Sequence, residues 1–302
     1  MGEFTGMAAA IGTAILWSLT STMFSLAGRA VGAAVVNRLR LLVASLLIVA
    51  VHWLLLGSLL PLDASPDRWF WLSLSGLVGF VLGDAFLFQA FVWIGPRISM
   101  LLMSLAPVIA TIVSWVVLNE TLSSLEIMGI FLAVSGVVLV IWERDGQTRG
   151  RLEGNPFYKR GVIYGFGAAL GQALGLILSK KGLYGDFSAL SGNLIRLISA
   201  ALAIWLWTLA TKQVGETLSR VRENKPAIKY ILGGSMTGPF LGVWLSLVAV
   251  QAIEVGIAST LMGLAPVFLL PLSWWIFKDR FGWMAIAGTL LAVGGSAILF
   301  FA

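Results

Sequence analysis

Three ionisable side chains lie inside long apolar stretches of the sequence: Arg40, Asp84 and Arg196. A charged group inside a membrane span is costly, so it marks a functional site by default. If one span ends near residue 56 and the next begins near residue 69, Arg40 lies 16 residues before the turn and Asp84 lies 15 residues after it. Equal depth on antiparallel neighbours predicts an Arg40–Asp84 pair. Two interpretations stay open: a structural ion pair, or an Asp84 that binds a proton or a substrate ammonium group.

Arg196 lies in the segment 193–197 (NLIRL), which resembles the segment 37–41 (NRLRL). The residue that matches Asp84 in this second copy is Val243, so Arg196 has no equivalent carboxylate. Arginine is well suited to grip a carboxylate through two parallel hydrogen bonds. We therefore consider that Arg196 faces a cavity and attracts a substrate carboxylate. The alternative is that Arg196 extends to the membrane surface or caps a neighbouring helix end.

Polar and aromatic residues near the middle of the spans are further candidates for the lining of a cavity. Trp17 and Gln172 match one another in the two halves of the chain and lie near mid-span. The candidates on the third span of each half are Phe80, Gln89, Trp244 and Gln251. The small hydroxyl side chains of the first span are instead typical of close helix packing.

Two prolines, Pro107 and Pro266, also occupy matching positions inside predicted helices. Each removes a backbone hydrogen bond and should kink or loosen its helix. Two interpretations stay open for this pair. The prolines are hinges that free carbonyl groups toward a cavity, or they are static kinks that serve packing.

The sequence contains an internal duplication. Residues 79–142 recur at 238–301, each position 159 further on, and agreement extends to glycine, proline and tryptophan. Such agreement is hard to obtain from hydrophobic composition alone, so the chain is two copies of one unit. The matching positions of the first copy are Gly79, Gly83, Met103, Leu105, Ala106, Pro107, Ser114, Trp115, Gly129, Ala133, Val134 and Gly136.

The composition indicates a membrane protein. Of 302 residues, 59% are hydrophobic and only 11% are charged, whereas a soluble domain has roughly a quarter charged. Apolar runs near the length of a membrane-spanning helix recur along the chain, and the short alternating segments of a β-barrel are not seen. The absence of cysteine and the single histidine exclude thiolate and histidine-cluster metal sites. Basic residues fall in loops, which excludes a nucleic-acid partner.

Ten spans can be placed, five in each half, which predicts an all-α polytopic membrane protein around a central cavity. Because five is odd, the second copy must enter the membrane from the opposite side, and inverted repeats of this kind are typical of secondary transporters. The predicted division is residues 1–142, a connecting loop 143–159, and residues 160–302. The spans are about 7–27, 32–56, 69–93, 97–118, 123–142, 160–181, 188–211, 228–252, 256–278 and 281–301.

The loop charges predict an orientation. The side with both termini carries 3 basic residues, and the side with loops 143–159 and 212–227 carries 14. Cytoplasmic loops are enriched in lysine and arginine. These two loops are therefore expected on the cytoplasmic side of the inner membrane, and both termini on the opposite side. A second expectation concerns the matched glycines 129, 136, 288 and 295. They should allow close helix packing. The protein is expected to be a monomer or a weak homodimer, and in a homodimer these glycines would form part of the dimer surface.

The chain resembles the EamA-type drug/metabolite transporter superfamily over essentially its whole length. The resemblance rests on two five-helix repeats, each with an arginine early in its second helix, and on the runs SLAP and GLAP at 104–107 and 263–266. It also rests on a glycine-rich fifth helix. One departure is the sequence KDR at 278–280, where the family often has Gly-Glu. The resemblance implies a ten-helix basket that exports small metabolites, amino acids or toxic compounds, with bacterial amino-acid and aromatic-amino-acid exporters as nearest kin.

These observations favour a secondary exporter of small metabolites, most of all neutral or aromatic amino acids, that works by alternating access. A drug or sugar transporter of the same fold is the alternative, and a channel is disfavoured because the spans are kinked and sparsely polar. An enzyme is disfavoured because the spans carry no nucleophile or metal motif. No nucleotide-binding motif is present, so no cofactor is expected, and a substrate or proton gradient would supply the energy.

Overall fold

The computed structural model describes residues 3–118, 123–142, 156–185, 187–252, 261–278 and 282–299, and these form helices and short connections without a strand. The helices of the first half are α1 Glu3–Val31, α2 Ala33–Leu56, α3 Pro66–Gly76, α4 Asp84–Met103, α5 Ala106–Leu118 and α6 Ser124–Trp142. Those of the second half are α7 Tyr158–Gly182, α8 Ala189–Ala210, α9 Val214–Glu223, α10 Lys225–Ser235, α11 Val243–Ala252, α12 Ala265–Leu272 and α13 Trp283–Ile298.

The expected spans correspond to these helices, and six helical stretches among the described residues are long and apolar enough to cross a membrane. Large apolar side chains cover their outer faces: Leu46 is 64% exposed, Leu202 59% and Phe131 70%. Such a surface is stable only against lipid, because water would have to hydrate it. The predicted all-α polytopic class is confirmed.

Two breaks interrupt the helical backbone along the third and fourth spans of the first half. Gly95 adopts φ 80° and ψ 167°, a backbone conformation that disfavours any side chain, and Pro96 begins the next helical stretch. A second interruption follows at Ser104 and Leu105, just before α5. The fourth span is therefore two helical pieces.

The glycines of α6 and α13 join the two halves. A Cβ atom on Gly136 would lie 2.3 Å from the backbone nitrogen of Ala292, and Gly129 and Gly295 approach one another in the same way. The expected close packing of these helices is confirmed. The two helices bury these glycines against each other within one chain, and the expected weak homodimer stays a prediction.

The order of these contacts gives the relative direction of the halves. Gly129 meets Gly295 and Gly136 meets Gly288, so α6 and α13, which are equivalent helices, run antiparallel. The second helices of the two halves do the same. Equivalent helices that run antiparallel mean that the two repeats are inverted with respect to each other.

The second helices, α2 and α8, are joined by polar contacts. Ser45 Oγ donates to the carbonyl oxygen of Leu197 at 3.2 Å, and a ring nitrogen of His52 lies 3.0 Å from Ser191 Oγ. Residue numbers rise along α2 as they fall along α8, which shows the antiparallel order. The buried His52 therefore ties the end of α2 to the start of α8.

A π-helical segment, Leu77–Gly83, connects α3 to α4, and the equivalent segment Met236–Gly242 connects α10 to α11. The first segment packs directly on α7: a Cβ atom on Gly171 would lie 2.6 Å from Gly83 Cα, and one on Gly175 would lie 3.1 Å from Gly79 Cα. Backbone therefore touches backbone at this crossing.

The second π-helical segment packs on α1 in the reciprocal way. Thr13 Oγ1 donates to the carbonyl oxygen of Gly242 at 3.3 Å, and the hydroxyl groups of Thr20 and Thr237 lie 2.7 Å apart. The first helix of each repeat thus packs on the third helix of the other repeat. The two halves are interlocked rather than placed side by side.

One expected loop contains a helix. The charge pattern predicts a loop at 212–227, but the structure has α9 within it. Thr217 is buried and Val221 packs against the hydrophobic core, so one side of the helix faces the protein. The stretch 143–155, which is most of the expected connecting loop, lies outside the described residues, as do 253–260, which includes the start of the ninth expected span, and 279–281.

Candidate functional site

Asp84 begins α4 directly after the first π-helical segment, and Arg40 on α2 faces it. Both residues are buried at 5% exposure. A terminal nitrogen of Arg40 donates to Asp84 Oδ2, and the same nitrogen lies 3.3 Å from the carbonyl oxygen of Phe80. Arg40 Nε donates to Asn37 Oδ1 at 3.2 Å. The buried guanidinium is therefore held by a carboxylate, an amide and a backbone carbonyl.

The second oxygen of the Asp84 carboxylate is also engaged. Gln172 Nε2 on α7 donates to Asp84 Oδ1 at 3.0 Å. Because Arg40 takes the other oxygen, each carboxylate oxygen already has a donor. Each carboxylate oxygen can accept a further hydrogen bond, but Arg40 and Gln172 already fix the orientation of the carboxylate. The contact also links the two repeats, since Gln172 belongs to the second.

Arg196 on α8 approaches the same place from another side. Its guanidinium carbon lies 4.5 Å from the centre of the Phe80 ring, and that of Arg40 lies 5.8 Å from the same ring. A ring face attracts a cation, so Phe80 holds both guanidinium groups near one site. A Cβ atom on Gly79 would lie 3.6 Å from a terminal nitrogen of Arg196, which places this group beside the π-helical backbone.

Two buried donors in this region lack partners. Arg196 Nε and Asn193 Nδ2 have no hydrogen-bond partner within the part of the chain that the structure describes. The equivalent donors of the first repeat both have acceptors: Arg40 Nε donates to Asn37 Oδ1 at 3.2 Å, and Asn37 Nδ2 donates to the carbonyl oxygen of Val81 at 3.3 Å. A buried donor without a partner costs roughly 1–3 kcal/mol. The second repeat therefore presents two unsatisfied donors where the first repeat is satisfied.

The net charge of the cluster follows from its members. Arg40 and Arg196 contribute two positive charges, and Asp84 contributes one negative charge. The position in the second repeat that matches Asp84 is Val243, which contributes none. The cluster therefore suits one additional negative group, and a carboxylate supplies both the charge and the acceptor oxygens that Arg196 and Asn193 need.

The chain matches one protein family over nearly its full length. The model of the EamA-like transporter family matches residues 4–142 and again residues 159–301. The chain belongs to the EamA-like transporter family. It is a multi-pass membrane transporter with a two-repeat architecture. The resemblance to the EamA-type superfamily is confirmed, whereas the nearer kinship with amino-acid exporters stays a prediction.

A solved structure has the same fold as this transporter. One solved structure, described only as "Crystal structure of protein", covers 97% of this transporter and 95% of its own chain, with 17% sequence identity and a TM-score of 0.63. At that identity the likeness shows the shared fold alone. No curated protein matches the transporter.

The remaining candidate residues of the transporter do not all gather at this cluster. A Cβ atom on Gly242 would lie 2.8 Å from Trp17 Nε1, so Trp17 covers the second π-helical segment. Trp244 is 42% exposed and packs against Phe240 on its own helix. Gln89 is half-buried, and the side chain of Gln251 lies outside the described residues.

The matched prolines lie just after breaks in their helices. Pro266 is in the first turn of α12, where the missing N–H group is tolerated, and Pro107 follows the break at Ser104. Serine hydroxyl groups of the opposite repeat donate to carbonyl groups beside these breaks. Ser296 Oγ donates to the carbonyl oxygen of Ser104 at 2.8 Å. Ser18 Oγ likewise donates to the carbonyl oxygen of Ala265 at 2.8 Å.

Sequence reasoning overlooked three contributors to the transporter's polar interior: Asn193, Ser18 and Ser296. Asn193 could have been found from its match with Asn37 in the repeated segment. Ser18 was grouped with the packing hydroxyls of the first span, and Ser296 carries no sequence signal. The contacts of Ser18 and Ser296 cross between repeats, so they depend on how the helices are rotated.

Proposed function

We propose that the transporter exports small metabolites, in particular neutral or aromatic amino acids, across the inner membrane by alternating access. The observation that carries this proposal is the pair of unsatisfied buried donors, Arg196 Nε and Asn193 Nδ2. They lie in a cluster with a net positive charge. A substrate carboxylate would satisfy both donors and would neutralise the cluster.

The rest of the cluster restricts the substrate. Asp84 is engaged by Arg40 and Gln172, so we assign it the role of orienting these two groups rather than that of binding a substrate ammonium group. The ring of Phe80 lies beside Arg196 and offers an apolar surface next to the carboxylate position. Substrates with a carboxylate and an uncharged side chain should therefore be preferred over cationic ones.

The architecture supports movement between two states. The repeats are inverted and interlocked, and each carries a helix broken beside a matched proline. Equivalent halves can exchange conformations while the site between them stays in place. We propose that the breaks before Pro107 and Pro266 act as hinges, and that the serine hydroxyls bonded to the carbonyl oxygens of Ser104 and Ala265, beside these breaks, hold one conformation.

The deciding experiment is counterflow in proteoliposomes with a panel of labelled amino acids. We expect exchange of neutral or aromatic amino acids, and weaker exchange of lysine and arginine because the cluster is already positive. A pH gradient imposed in parallel tests whether proton movement is coupled to exchange. If exchange is confined to drugs or sugars that lack a carboxylate, the amino-acid assignment fails and the alternative within the same fold takes its place.

A further inference from the structure

The exposed side of α10 changes character along its length. Lys225, Lys229 and Leu232 recur at helical spacing, and Met236, at the start of the π-helical segment that follows, continues the pattern. All four are exposed, the last two at 45% and 47%. This exposed side is therefore cationic at the start of α10 and apolar beyond residue 229. In a membrane protein such a change marks the depth at which a helix passes from the headgroup region into the acyl chains.

The end of α8 also passes from apolar to cationic side chains, here toward the C-terminal end of the helix. Trp207 is 66% exposed on the outer face of the helix, and the exposed Lys212 follows the end of the helix. Tryptophan concentrates at headgroup depth, and lysine extends its amine to the phosphate layer. α9, which connects α8 to α10, therefore lies between two points at the same membrane boundary.

α9 is held firmly on the protein. The guanidinium group of Arg38, a buried residue of the opposite repeat, donates to Thr217 Oγ1 at 2.8 Å and also to Gln213 Oε1. On the outer side of the helix, Leu218 and Arg222 lie one turn apart and are both exposed. The helix thus presents one apolar and one cationic side chain outward from a fixed position, as helices in the interfacial plane do.

The acids of α9 do not neutralise these cations. Glu216 pairs with Arg220 at 2.7 Å, and Glu223 accepts a hydrogen bond from Ser219 at 2.6 Å. The remaining exposed cations of the segment make no salt bridge with any acid in the described ranges of the chain: Lys212, Arg222, Lys225 and Lys229. The corresponding connection of the first repeat, residues 57–65, contains no basic residue.

We propose that Lys212, Arg222, Lys225 and Lys229, here called the basic stripe, bind the phosphate groups of anionic phospholipids. The apolar neighbours Leu218 and Leu232 enter the upper acyl layer. The phosphates compensate the four positive charges, of which, among the described residues, only that of Lys229 has another attractive contact, with the Tyr230 ring at 5.1 Å. The lipid would fasten α9, and through Arg38 it would fasten α2 of the other repeat. This site is separate from the proposed transport site.

The test uses the full-length protein, purified in a neutral detergent and titrated with phosphatidylglycerol, phosphatidylcholine or inorganic phosphate. Native mass spectrometry counts bound lipid, and thermal unfolding reports stabilisation. We expect phosphatidylglycerol alone to bind and to raise Tm. One cation near an anionic surface contributes roughly a fivefold change in affinity. K225Q/K229Q should therefore weaken phosphatidylglycerol binding by about 10- to 30-fold.

The matched control is K159Q/R160Q, which removes the same charge from two exposed residues at the start of α7 and should change binding by less than about twofold. Equal weakening in both variants would mean general electrostatic attraction and would overturn the proposal, as would equal binding of phosphatidylcholine. Stabilisation by inorganic phosphate as strong as that by the lipid would also overturn it. If K225Q/K229Q does not fold, R222Q replaces it, with an expected loss of about fivefold.

Discussion

At the scale of single residues, Arg196 decides whether the proposed substrate class is right. A hydrogen bond to a charged group contributes about 1.5–3 kcal/mol, so R196A should weaken amino-acid exchange by roughly 10- to 100-fold. R196K keeps the charge but loses the planar fork, and should recover only part of the activity. R160A, at an exposed arginine of α7, is the control. Exchange that survives R196A unchanged would contradict the carboxylate site.

Asn193 should act with Arg196. N193A removes a neutral donor, so we expect a smaller loss of exchange, about 3- to 10-fold. In the double variant N193A/R196A the losses should not add, because we propose that both groups contact one carboxylate. Independent, additive effects would show that Asn193 lies outside the site. The equivalent change N37A should instead lower thermal stability, since Asn37 supports the buried Arg40.

Asp84 should matter first for stability. Removing one partner of a buried ion pair leaves an uncompensated charge and costs roughly 3–5 kcal/mol. D84L should therefore lower Tm strongly, while R40M/D84L, which removes both charges, should recover most of the loss. Thermal unfolding in detergent measures both. If D84L is as stable as the double variant, the pair is not a structural element and the proton-carrier interpretation of Asp84 gains support.

At the scale of elements, the packing of α6 on α13 offers a matched pair of substitutions. A Cβ atom on Gly295 would lie 2.2 Å from the backbone nitrogen of Ala133, whereas one on Gly294 would meet nothing within 4 Å. G295A should destabilise the protein by roughly 1–3 kcal/mol through overpacking, and G294A should be neutral or slightly stabilising. Similar unfolding temperatures for the two variants would mean that this helix pair is not closely packed.

The broken helices should control the rate of transport rather than stability. P266A restores an N–H group at the break before α12, which would favour a continuous helix and stiffen the hinge. We expect exchange to slow several-fold while Tm stays the same or rises. P226A is the control, because Pro226 lies in the first turn of α10, where no hinge is proposed. A faster or unchanged exchange rate in P266A would contradict the hinge and would favour the interpretation of Pro266 as a static kink.

At the scale of the whole molecule, the orientation can be measured directly because the chain contains no cysteine. Ser219 on α9 and Asp63 in the connection after α2 are both exposed. They lie at opposite ends, since α2 and α8 run antiparallel. Following the loop charges, S219C should react with a membrane-impermeant maleimide only after the cells are opened, and D63C should react in intact cells. The reverse pattern would place both termini in the cytoplasm.

Several features of the whole fold follow from the sequence. Low charge and long apolar runs determine the membrane class, because no soluble surface can be built from them. The duplication of an odd number of spans determines the inversion that α6 and α13 show. Equal depth on neighbouring spans is also sufficient to predict that Arg40 and Asp84 lie within reach of each other, because the turn between their spans fixes the relative height of the two helices.

Only the tertiary structure shows how each helix is rotated about its own axis, and therefore which side chains point into the protein. In a membrane helix both the lipid-facing side and the core-facing side are apolar, so hydrophobic periodicity does not show which side chains point inward. Gln172 therefore emerged as the second partner of Asp84, and Asn193 as the companion of Arg196, only once the repeats were packed against each other. Contacts such as Gln172–Asp84 and Ser296–Ser104 join residues of different repeats, and the interlocked arrangement of two inverted halves brings them together.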